Sequence, residues 1–523
     1  IYIVAYFYCI LRKCLKLKMG YAVMLLIVFL CHEVSSISIL PHKHQIISLL
    51  KFKQSFTIDP SASYYCPKPY PKRSSWNTSR DCCSWDGVVC DDITGHVIEL
   101  DLSCSSLTGT IDSTSSLFQL SHLQRLDLSF NNFSNSHISP EFGKFSSLTH
   151  LDLSYSYFSG QIPSEISHLS KLHSLRLSTY VFDSKKLRLT THDFKSLLQN
   201  LTQLRELDLS GINISSTIPL NFSSYLTNLG LSDTQIYGIL PEGVFHLSNL
   251  ESLDLSSNLQ LTVRFPTTKW NSSASLMKLY LYDVNITGRI PESISHLTSL
   301  LDLDMSDSNL SGPIPKPLWN LTNIEVLDLG YNHLEGPISD FFRFGKIRSL
   351  SLRNNNFNGQ LEFLSFNRWT QLGLLDCSVN SLTGPIPSNV SGMQNLYSLF
   401  LSSNLLNGTI PSWIFSLPSL SLLHLSDNHF SGKIQEFESG TLSEVDLKQN
   451  QLQGPIPKSL LDQLSLQHLL LSYNNLSGQI ASTICNVNIL QVLDLGNNNL
   501  EGAIPQCLGE ISRLVILDLS NNS

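Results

Sequence analysis

The sequence has few charged residues for its length. Only 15% of its 523 residues are Asp, Glu, Lys or Arg, against roughly a quarter in ordinary globular proteins. Its 34 basic side chains are outnumbered by 42 acidic ones, which gives a formal net charge of −8. A protein that grips nucleic acid shows a basic face instead. The composition therefore argues against that class, and we expect no nucleic-acid partner.

Short motifs that mark several enzyme classes are also absent from the sequence. It contains no Gly-rich phosphate-binding loop, no His-Glu-x-x-His motif and no protein-kinase catalytic signature. Its cysteines do not form the CxxC pairs that zinc modules use. We therefore expect no catalytic residues, no cofactor and no metal.

Leucine is the residue that the sequence has in excess, with 93 copies. Most belong to a short "LxL" unit that recurs eighteen times, usually 24 residues apart, with one longer interval of 32. The first residues of these units are Leu100, Leu126, Leu151, Leu175, Leu207, Leu229, Leu253, Leu279, Leu303, Leu327, Leu350, Leu375, Leu399, Leu423, Val445, Leu469, Leu493 and Leu517. A fixed period of this length is the signature of a leucine-rich-repeat solenoid.

The repeat consensus, LxxLxLxxNxLxGxIP, predicts an α/β repeat solenoid. Side chains alternate along a strand, so both leucines of "LxL" point inward, and stacked repeats share one core and a parallel β-sheet on the concave face. The Asn five residues after the first Leu is suited to bond the backbone of the neighbouring repeat. It is present in each of the last nine repeats, whereas positions such as Ser156, Thr234 and Ser308 carry other residues. We therefore expect a less regular backbone between about residues 150 and 310.

The N-terminal part of the sequence indicates export. A basic flank ends at Lys18, Met19 is the first methionine, and an apolar run of about a dozen residues leads to Ser35 and Ser36. This pattern is typical of a secretory signal peptide. We assign residues 1–18 to an upstream segment that may not be translated, 19–36 to the signal peptide, 37–93 to an N-terminal cap and 94–523 to about eighteen repeats. A membrane anchor retained from residues 1–31 is the alternative.

The cap is predicted from its cysteines and from one helical pattern. Ile46, Leu49, Leu50 and Phe56 recur at near-helical spacing and suggest an amphipathic helix. In an oxidising compartment the clustered cysteines read as disulfides, and we predict the pairs Cys83–Cys90 and Cys66–Cys82. For Cys485 and Cys507 a bridge between neighbouring repeats and two free thiols are equally open. Glycosylation sequons are predicted at Asn77, Asn132, Asn200, Asn213, Asn221, Asn271, Asn285, Asn309, Asn320, Asn389, Asn407, Asn475 and Asn521.

Several segments together carry a resemblance to a known family. They are Ser75-Trp76-Asn77, Cys82 to Cys90, Ser116 to Leu120, Leu148 to Ser154, Ile162 to Ser170 and Asn200 to Leu207. In these segments the sequence resembles the Cf family of tomato disease-resistance receptor-like proteins, and its Gly-x-Ile-Pro repeat endings resemble the plant-specific repeat class. The 32-residue interval, with its insertion near Tyr180–Thr191, lies where that family also departs from its period. We expect the insertion to form a solvated loop.

The resemblance implies a plant immune receptor-like protein without a kinase domain. Such proteins sense pathogen-derived proteins and signal through partner receptor kinases. The family usually has a Cys shortly after the leader, where this sequence reads Leu40 to His44. The sequence stops at Ser523, inside a repeat, so we expect a fragment or a truncated gene, with an exposed leucine edge prone to aggregation. The expected location is the plasma membrane, with the repeats outside the cell, if the protein is full length, and otherwise the apoplast.

Candidate ligand-binding residues are those that break the repeat pattern on the exposed strand face. Asp follows the first Leu in eleven repeats, which we interpret as a feature of the framework, with an acidic stripe for a basic partner as the alternative. Aromatic and Arg residues are enriched among interface anchors. The candidates are Arg176, Tyr280, Tyr282, Tyr331, Arg353, Tyr397, Phe400, His424, His468 and Tyr473.

Two other functions remain open at this point. One is a secreted inhibitor of microbial cell-wall-degrading enzymes, and the other is the ectodomain of a receptor kinase that senses an endogenous peptide. The continuation of the reading frame would separate the three functions. A membrane helix with a short tail would follow in a receptor-like protein, a closing cap in an enzyme inhibitor, and a kinase domain in a receptor kinase.

Overall fold

A computed structural model describes residues 39–523 except 135, 180–185, 220–221, 267–274, 339–340, 342, 362–368 and 389–391. The predictions for residues 1–36, and for the sequons Asn221, Asn271 and Asn389, therefore lie outside the described residues. The chain divides into two compact units, residues 1–206 and 207–523. Each unit is built from the repeats that the leucine period predicts.

The first unit begins with helix α1 (Ile39–Gln54). Leu49 and Phe52 of this helix are fully buried, as an amphipathic helix requires. Phe56 was expected in the same helix, but it begins strand β1 (Phe56–Ile58) and packs its ring edge-on against Phe52. The helical spacing of Phe56 is accidental, because the chain leaves the helix after Gln54 to form an extended segment.

The strands and short 3₁₀ turns of the first unit follow in chain order. Its strands are β2 (Val88–Cys90), β3 (Val97–Asp101), β4 (Leu107–Gly109), β5 (Arg125–Asp127), β6 (His150–Asp152), β7 (Gly160–Gln161), β8 (Ser174–Arg176) and β9 (Leu187–Arg188). The 3₁₀ turns are Pro60–Ser63, Lys72–Ser75, Cys82–Ser84, Ser116–Gln119, Pro140–Lys144 and Ser164–His168. Strands β3, β5, β6 and β8 pair in parallel, while β2 lies antiparallel to β3 and β1 antiparallel to β4. Antiparallel strands thus join the cap to the first repeat.

Two disulfides hold the cap, and one of them differs from the predicted pairing. Cys83 pairs with Cys90, as predicted. Cys66 pairs with Cys104, at a Cα–Cα distance of 5.9 Å, and the predicted Cys66–Cys82 bridge is wrong. Cys82 is instead a fully buried free thiol. The physical reason is that Cys104 follows β3, and the chain segment around Cys66 folds back onto that first repeat, so that Tyr70 N–H donates to the Cys104 carbonyl.

The described part of the insertion in the long repeat is ordered secondary structure. Its residues 180–185 lie outside the described range, but β9 pairs in parallel with β7. Helix α2 (Thr191–Asn200) follows, capped by the Thr190 hydroxyl oxygen, which accepts a hydrogen bond from Asp193 N–H. Phe194 and Leu197 bury the inner face of this helix. The expectation of a solvated loop near Tyr180–Thr191 is therefore wrong for residues 187–191, because Leu187 and Leu189 are buried in the core. Strand β10 (Glu206–Asp208) contains the boundary between the units.

The second unit is dominated by one long parallel sheet, here called the main sheet. Its described strands pair in register, each with the next. They are β11 (Asn228–Gly230), β13 (Ser252–Asp254), β15 (Lys278–Tyr280), β17 (Asp302–Asp304), β19 (Val326–Asp328), β21 (Ser349–Ser351), β23 (Leu374–Asp376), β25 (Ser398–Phe400), β27 (Leu422–His424), β29 (Glu444–Asp446), β31 (His468–Leu470), β33 (Val492–Asp494) and β35 (Ile516–Asp518). In β25, as in its neighbours, the central leucine (Leu399) is buried.

A second layer of strands follows the asparagine turn of each repeat. Its strands are β12 (Gly238–Ile239), β14 (Asn258–Val263), β16 (Val284–Ile286), β18 (Ser311–Pro313), β20 (His333–Pro337), β22 (Asn356–Gln360), β24 (Ser381–Pro385), β26 (Leu405–Thr409), β28 (His429–Gly432), β30 (Gln451–Gly454), β32 (Asn475–Gly478) and β34 (Asn499–Leu500). The even-numbered strands from β18 to β34 form one nine-stranded sheet.

Short helical turns complete the repeats of the second unit. They are Glu242–His246, Glu292–His296, Lys316–Asn320, Ser482–Asn486, Gln506–Glu510, α3 (Ser412–Phe415) and α4 (Lys458–Leu461). Most of them start directly after the proline of the Gly-x-Ile-Pro ending, as at Pro315 and Pro411. Proline cannot extend a strand ladder, but its fixed φ suits the start of a helical turn.

The asparagine that recurs in the repeats forms a ladder of hydrogen bonds from one repeat to the next. Asn404 Nδ2 donates to the Cys377 carbonyl of the preceding repeat at 3.0 Å, and its Oδ1 accepts from Leu382 N–H. The same two kinds of bond occur at each of the last nine repeats, through Asn332, Asn355, Asn380, Asn404, Asn428, Asn450, Asn474, Asn498 and Asn522. The predicted role of this residue is confirmed.

Among the described residues of the second unit, the expected irregularity between residues 150 and 310 is found in the second layer. There β12, β14 and β16 form a separate three-stranded sheet whose register shifts between Asn258 and Thr262. The main sheet keeps its register, so for it the expectation is wrong. Serine explains this result in part, because the Ser308 hydroxyl donates to the Leu281 carbonyl as an asparagine amide would.

Cys485 and Cys507 form a disulfide between neighbouring repeats, with a Cα–Cα distance of 5.6 Å. Among the described residues, no helix has the length and apolar character needed to cross a membrane.

Candidate recognition face

The aspartates that follow the first Leu are bound to their own backbone. Asp328 Oδ1 accepts a hydrogen bond from Gly330 N–H at 2.8 Å, and Asp376 Oδ1 accepts one from Ser378 N–H at 2.9 Å. The same bond, to the N–H two residues on, forms at all eleven aspartates: Asp101, Asp127, Asp152, Asp208, Asp254, Asp304, Asp328, Asp376, Asp446, Asp494 and Asp518. This geometry supports the interpretation of these aspartates as part of the framework.

In six strands of the second unit this aspartate is replaced, by Gly230, Tyr280, Ser351, Phe400, His424 and Leu470, and three of these replacements fall between β25 and β31. Phe400 of β25, His424 of β27 and Leu470 of β31 occupy its place, in register with Asp376, Asp446 and Asp494. All three side chains are half-buried. We use the name central patch for Arg353, Phe400, His424, Glu444, Asp446, His468 and Leu470. Here the exposed face changes from a uniform row of carboxylates to a mixture of apolar, aromatic, basic and acidic groups.

A cavity of about 250 Å³ opens in the central patch. Its walls include Arg353, Phe400, His424 and Asp446, and its floor is made by small residues, Ser378, Ser402 and Ser426. The Phe400 and His424 rings lie 4.7 Å apart, centroid to centroid. The small serines lie between larger neighbours, so the face is recessed at this point.

Two histidines flank one carboxylate in the central patch. Glu444 Oε1 lies 3.4 Å from His424 Nε2 and 3.4 Å from His468 Nδ1. The three residues come from consecutive strands, β27, β29 and β31. About a third of each side chain is exposed. The charge at this point therefore depends on the protonation of the two imidazoles.

Asp446, beside this group, is nearly buried and has fixed partners. Burial raises the pKa of its carboxyl, although the Ser426 hydroxyl donates to Oδ2 at 2.9 Å and Lys448 N–H donates to Oδ1. Asp446 is thus less available to a ligand than Glu444. The ion-pair partners of Glu444 in the central patch, His424 and His468, are themselves half-exposed.

At the other end of the cavity an arginine links an aromatic ring to a carboxylate. The Arg353 guanidinium lies 5.6 Å from the centre of the Tyr331 ring, which is a cation–π distance. It also lies 3.9 Å from Asp376 Oδ2. Almost half of the Arg353 side chain remains exposed, so it is held in place while presenting part of its surface.

Other predicted residues lie on the same face but outside the cavity. Tyr397 rests against Gly373, whose backbone leaves no room for a Cβ beneath the ring. Tyr473 follows β31 and is 57% exposed. Tyr280 donates its hydroxyl to Asp302 at 2.9 Å, and burial together with this bond raises its pKa. Tyr282 is exposed two residues later. These residues are not brought into one site with the central patch.

Arg176 belongs to the first unit and is engaged in ion pairs there. Its guanidinium lies 3.1 Å from Glu206 Oε1 and 3.7 Å from Asp152 Oδ2. Burial, with the nearby charge of Asp127, raises the pKa of Asp152 to about 6. Arg176 therefore compensates a partly buried carboxylate, which is a structural task.

Sequence reasoning missed Glu444 and Asp446 as members of the central patch. Asp446 belongs to the series of framework aspartates. Glu444 stands directly before the first apolar residue of its strand, which is a variable position of the repeat consensus. Comparing that column would have found it, because Glu444 and His468 are neighbours there.

The sequons leave the main-sheet strands clear among the described residues. Seven described sequon asparagines are exposed and three, Asn132, Asn213 and Asn285, are half-buried. The exposed ones are Asn77, Asn200, Asn309, Asn320, Asn407, Asn475 and Asn521. None of them lies within a strand of the main sheet, so attached sugars would border the candidate face without covering it.

One group of potential metal ligands occurs in the described part of the chain. The sulfur atoms of Cys82, Cys83 and Cys90 lie within 4.8 Å of one another. Two of the three sulfurs are joined in the Cys83–Cys90 disulfide, and a thiolate is needed to bind a metal. This group does not fit a metal in its oxidised form.

Comparisons with known proteins place this architecture in a family. The model of the leucine-rich-repeat N-terminal domain matches residues 42–91, and repeat models match 274–334 and six segments between 122 and 511. The receptor-like protein Cf-9 homolog of Solanum lycopersicum is 67% identical over 425 residues, covering 80% of this chain and 50% of the relative. The chain is a plant leucine-rich-repeat receptor-like protein that resembles the Cf family.

Other Cf-type relatives agree with this assignment. Receptor-like protein Cf-9 of Solanum pimpinellifolium is 64% identical over 450 residues, which cover 84% of this chain and 51% of the relative. The Cf-like chain thus spans about half the length of the curated relatives it matches. These relatives are receptor-like proteins, and the Cf-like repeats form an extracellular receptor region of the plant type.

Solved structures show the same fold at lower identity. The ectodomain of the Arabidopsis receptor kinase HAESA, solved with an extended IDA peptide hormone, is 28% identical with a TM-score of 0.67, covering 92% of this chain and 90% of HAESA. The peptide hormone receptor RGFR1, solved with RGF2, is 26% identical with a TM-score of 0.64, covering 84% of each chain. The Cf-like chain therefore shares a leucine-rich-repeat receptor fold with these ectodomains.

Proposed function

We propose that this chain is the ligand-recognition region of a plant immune receptor-like protein that has no kinase domain of its own. It senses pathogen-derived proteins on the exposed face of its main sheet. In the full-length protein this region lies outside the plasma membrane, and without an anchor it is released into the apoplast. We expect it to have no enzymatic activity.

The central patch is the observation that carries this proposal. The framework aspartate is kept in eleven repeats and replaced in seven. Three of the seven replacements fall within four neighbouring strands, in β25, β27 and β31, where the cavity opens between Phe400 and His424. A recognition surface needs variation on a constant frame, and aromatic and Arg side chains are the usual anchors of protein interfaces. The absence of described sequons from the main-sheet strands supports the same face.

Signalling through partner receptor kinases is the second part of the proposal. HAESA has also been solved with the IDA hormone and the co-receptor SERK1, and that structure is 29% identical to this chain with a TM-score of 0.65, covering 91% of this chain and 90% of HAESA. A similar repeat region therefore holds a peptide and a second receptor at once. A receptor-like protein needs such a partner because it has no kinase to transmit the signal.

The degree of identity favours a receptor-like protein over a receptor kinase. The two Cf-type receptor-like relatives are 64% and 67% identical, whereas the ectodomain of the receptor kinase HAESA is 28–29% identical. We therefore keep the receptor kinase and the secreted enzyme inhibitor as alternatives that the comparisons favour less.

A chimeric receptor tests this function. The chain is joined to the C-terminal half of the tomato Cf-9 homolog, expressed in leaves, and challenged with intercellular fluid from infected and healthy plants. We expect ion leakage and an oxidative burst with infected fluid only. A variant that restores the framework carboxylates, Phe400→Asp with His424→Asp and Leu470→Asp, should abolish the response at equal surface abundance.

The control variant adds three carboxylates elsewhere, at the exposed residues Leu259, Leu464 and Ile504. It should respond like the wild type. A response that survives in the central-patch variant would show that recognition uses another surface. Failure of the wild-type chimera to respond to fluid from any infected plant would contradict pathogen sensing.

A further inference from the structure

The arrangement of His424, Glu444 and His468 has a chemical consequence that the proposed function does not include. The Glu444 carboxylate is the centre of the group, and one of its oxygens, Oε1, lies 3.4 Å from each imidazole. Imidazoles change charge between about pH 5 and 8, while an ordinary carboxylate stays ionised there. The two histidines therefore decide how much negative charge this point offers to a ligand.

The other carboxylates around the histidines have fixed partners. On β29, Asp446 is bound to Ser426 and to Lys448 N–H. On the neighbouring strands, Asp376 faces Arg353, and Asp494 accepts from the Ser472 hydroxyl at 2.6 Å. Lys448 lies two residues beyond the end of β29, with its side chain on the same face as Asp446. β25 contributes Phe400, which cannot titrate. Glu444 is left as the carboxylate whose near neighbours are titratable imidazoles.

We propose that the central patch binds a basic segment of the ligand through Glu444, and that protonation of His424 and His468 releases it. This inference rests on the proposed function, since it names the ligand chemistry and the regulation of the same site. When the imidazoles are uncharged, Glu444 is open to a Lys or Arg side chain. At acidic pH the two imidazolium ions pair with Glu444 and compete with the ligand for it.

The walls of the cavity fit the stem of such a side chain. Lys and Arg bury their methylene groups against apolar surface while the charged end reaches a partner. Leu422 is half-buried and pairs with Glu444, Leu470 is half-buried and pairs with Asp446, and Phe400 lines the cavity. An aromatic face also attracts a cation directly. The overall charge of −8 favours the approach of a basic partner.

The probe is a fluorescent decalysine peptide, titrated against the whole secreted, glycosylated chain at constant ionic strength. We expect binding to be about fivefold weaker at about pH 5.5 than at 7.5, beyond the general loss of negative charge, because two partly exposed ion pairs must be displaced. The variant with His424→Gln and His468→Gln should bind as the wild type does at neutral pH and should lose this extra weakening. Glu444→Gln should bind weakly at both pH values.

The matched control is His296→Gln, which removes an exposed histidine from a helical turn outside the main sheet. It should keep the wild-type pH dependence, and circular dichroism should show all variants folded. An equal pH dependence in the double histidine variant would overturn the proposal. So would tighter binding at acidic pH, preference for a decaglutamate peptide, or no decalysine binding at all. Each of these results leaves the response of the chimeric receptor to infected fluid as a separate test of the proposed function.

Discussion

Asn428 donates its side-chain amide to the backbone carbonyl of Leu401 at 2.9 Å, across the boundary between two repeats. Its Oδ1 accepts a hydrogen bond from Leu406 N–H at 3.0 Å, and the side chain is 95% buried. Neither backbone group has a strand partner for these bonds, so this one amide satisfies both. The repeat stack depends on such side chains because buried backbone polar groups are costly when they are left unpaired.

Replacing Asn428 by Ala should therefore destabilise the chain by about 1–3 kcal/mol, because a buried donor and a buried acceptor lose their partner. Urea unfolding measures this loss, and hydrogen exchange should become faster at the Leu406 amide. The control is Asn488→Ala, an exposed asparagine in a turn, which should change the free energy of unfolding by less than about 0.5 kcal/mol. Equal stability of the two variants would contradict the role of the asparagine ladder.

Gly87 in the cap lies against β3, the first of the parallel strands in the first unit. Its φ is +78°, and a Cβ there would lie 2.1 Å from the Asp101 carbonyl oxygen. Gly87→Ala should thus separate the cap from β3 and cost several kcal/mol, on the order of 3, by strain and lost packing. Limited proteolysis would detect early cleavage in residues 39–109. Gly243→Ala, where a Cβ would meet no atom within 4 Å, should leave the protease pattern unchanged.

The two free thiols in the described residues, Cys82 and Cys377, should be inert in the folded protein. Both are buried, and burial raises the pKa of Cys82 to about 12 and that of Cys377 as well. Since the thiolate is the reactive form, neither should be alkylated by iodoacetamide at neutral pH, and both should react in denaturant. Mass spectrometry of native samples with Cys82 modified would contradict the buried position.

Asp152 should make the first unit less stable as the pH rises. Its pKa is raised from 3.8 to about 6 by burial and by the charge of Asp127, so the folded state binds this proton more tightly than the unfolded chain. The penalty is absent below about pH 4, grows between 4 and 6, and is complete above 6. Asp152→Asn keeps an acceptor oxygen for Ser154 N–H and should raise the free energy of unfolding by on the order of 1–2 kcal/mol at neutral pH.

The pH profile of unfolding checks this prediction, because the variant should lose the decline between pH 4 and 6 that Asp152 causes. Asp112→Asn serves as the control. The pKa of Asp112 lies below its ordinary value because Thr114 donates two hydrogen bonds to it, so this substitution should leave that interval unchanged. A stabilising effect of Asp152→Asn that is the same at pH 4 and at neutral pH would contradict the assignment.

Much of the architecture could be predicted from the sequence because a repeat is specified locally. Alternation along a short strand fixes that Leu399 and Leu401 point inward, and the period fixes that the same pair recurs in the next repeat. The bonding role of Asn404 also follows from its place in the unit.

The contacts that distinguish this chain from any other repeat protein depended on the folded structure. Cys66 has Cys82 closer in sequence, but the cap folds back onto the first repeat and Cys104 lies next to it. Glu444 becomes noteworthy only when His424 and His468 stand on the adjoining strands, 20 residues before it and 24 residues after it. The sequence determined the repeated turn because the forces that shape it act within about 24 residues, whereas partners for a disulfide or a carboxylate are set by distances between turns, and these arise only on stacking.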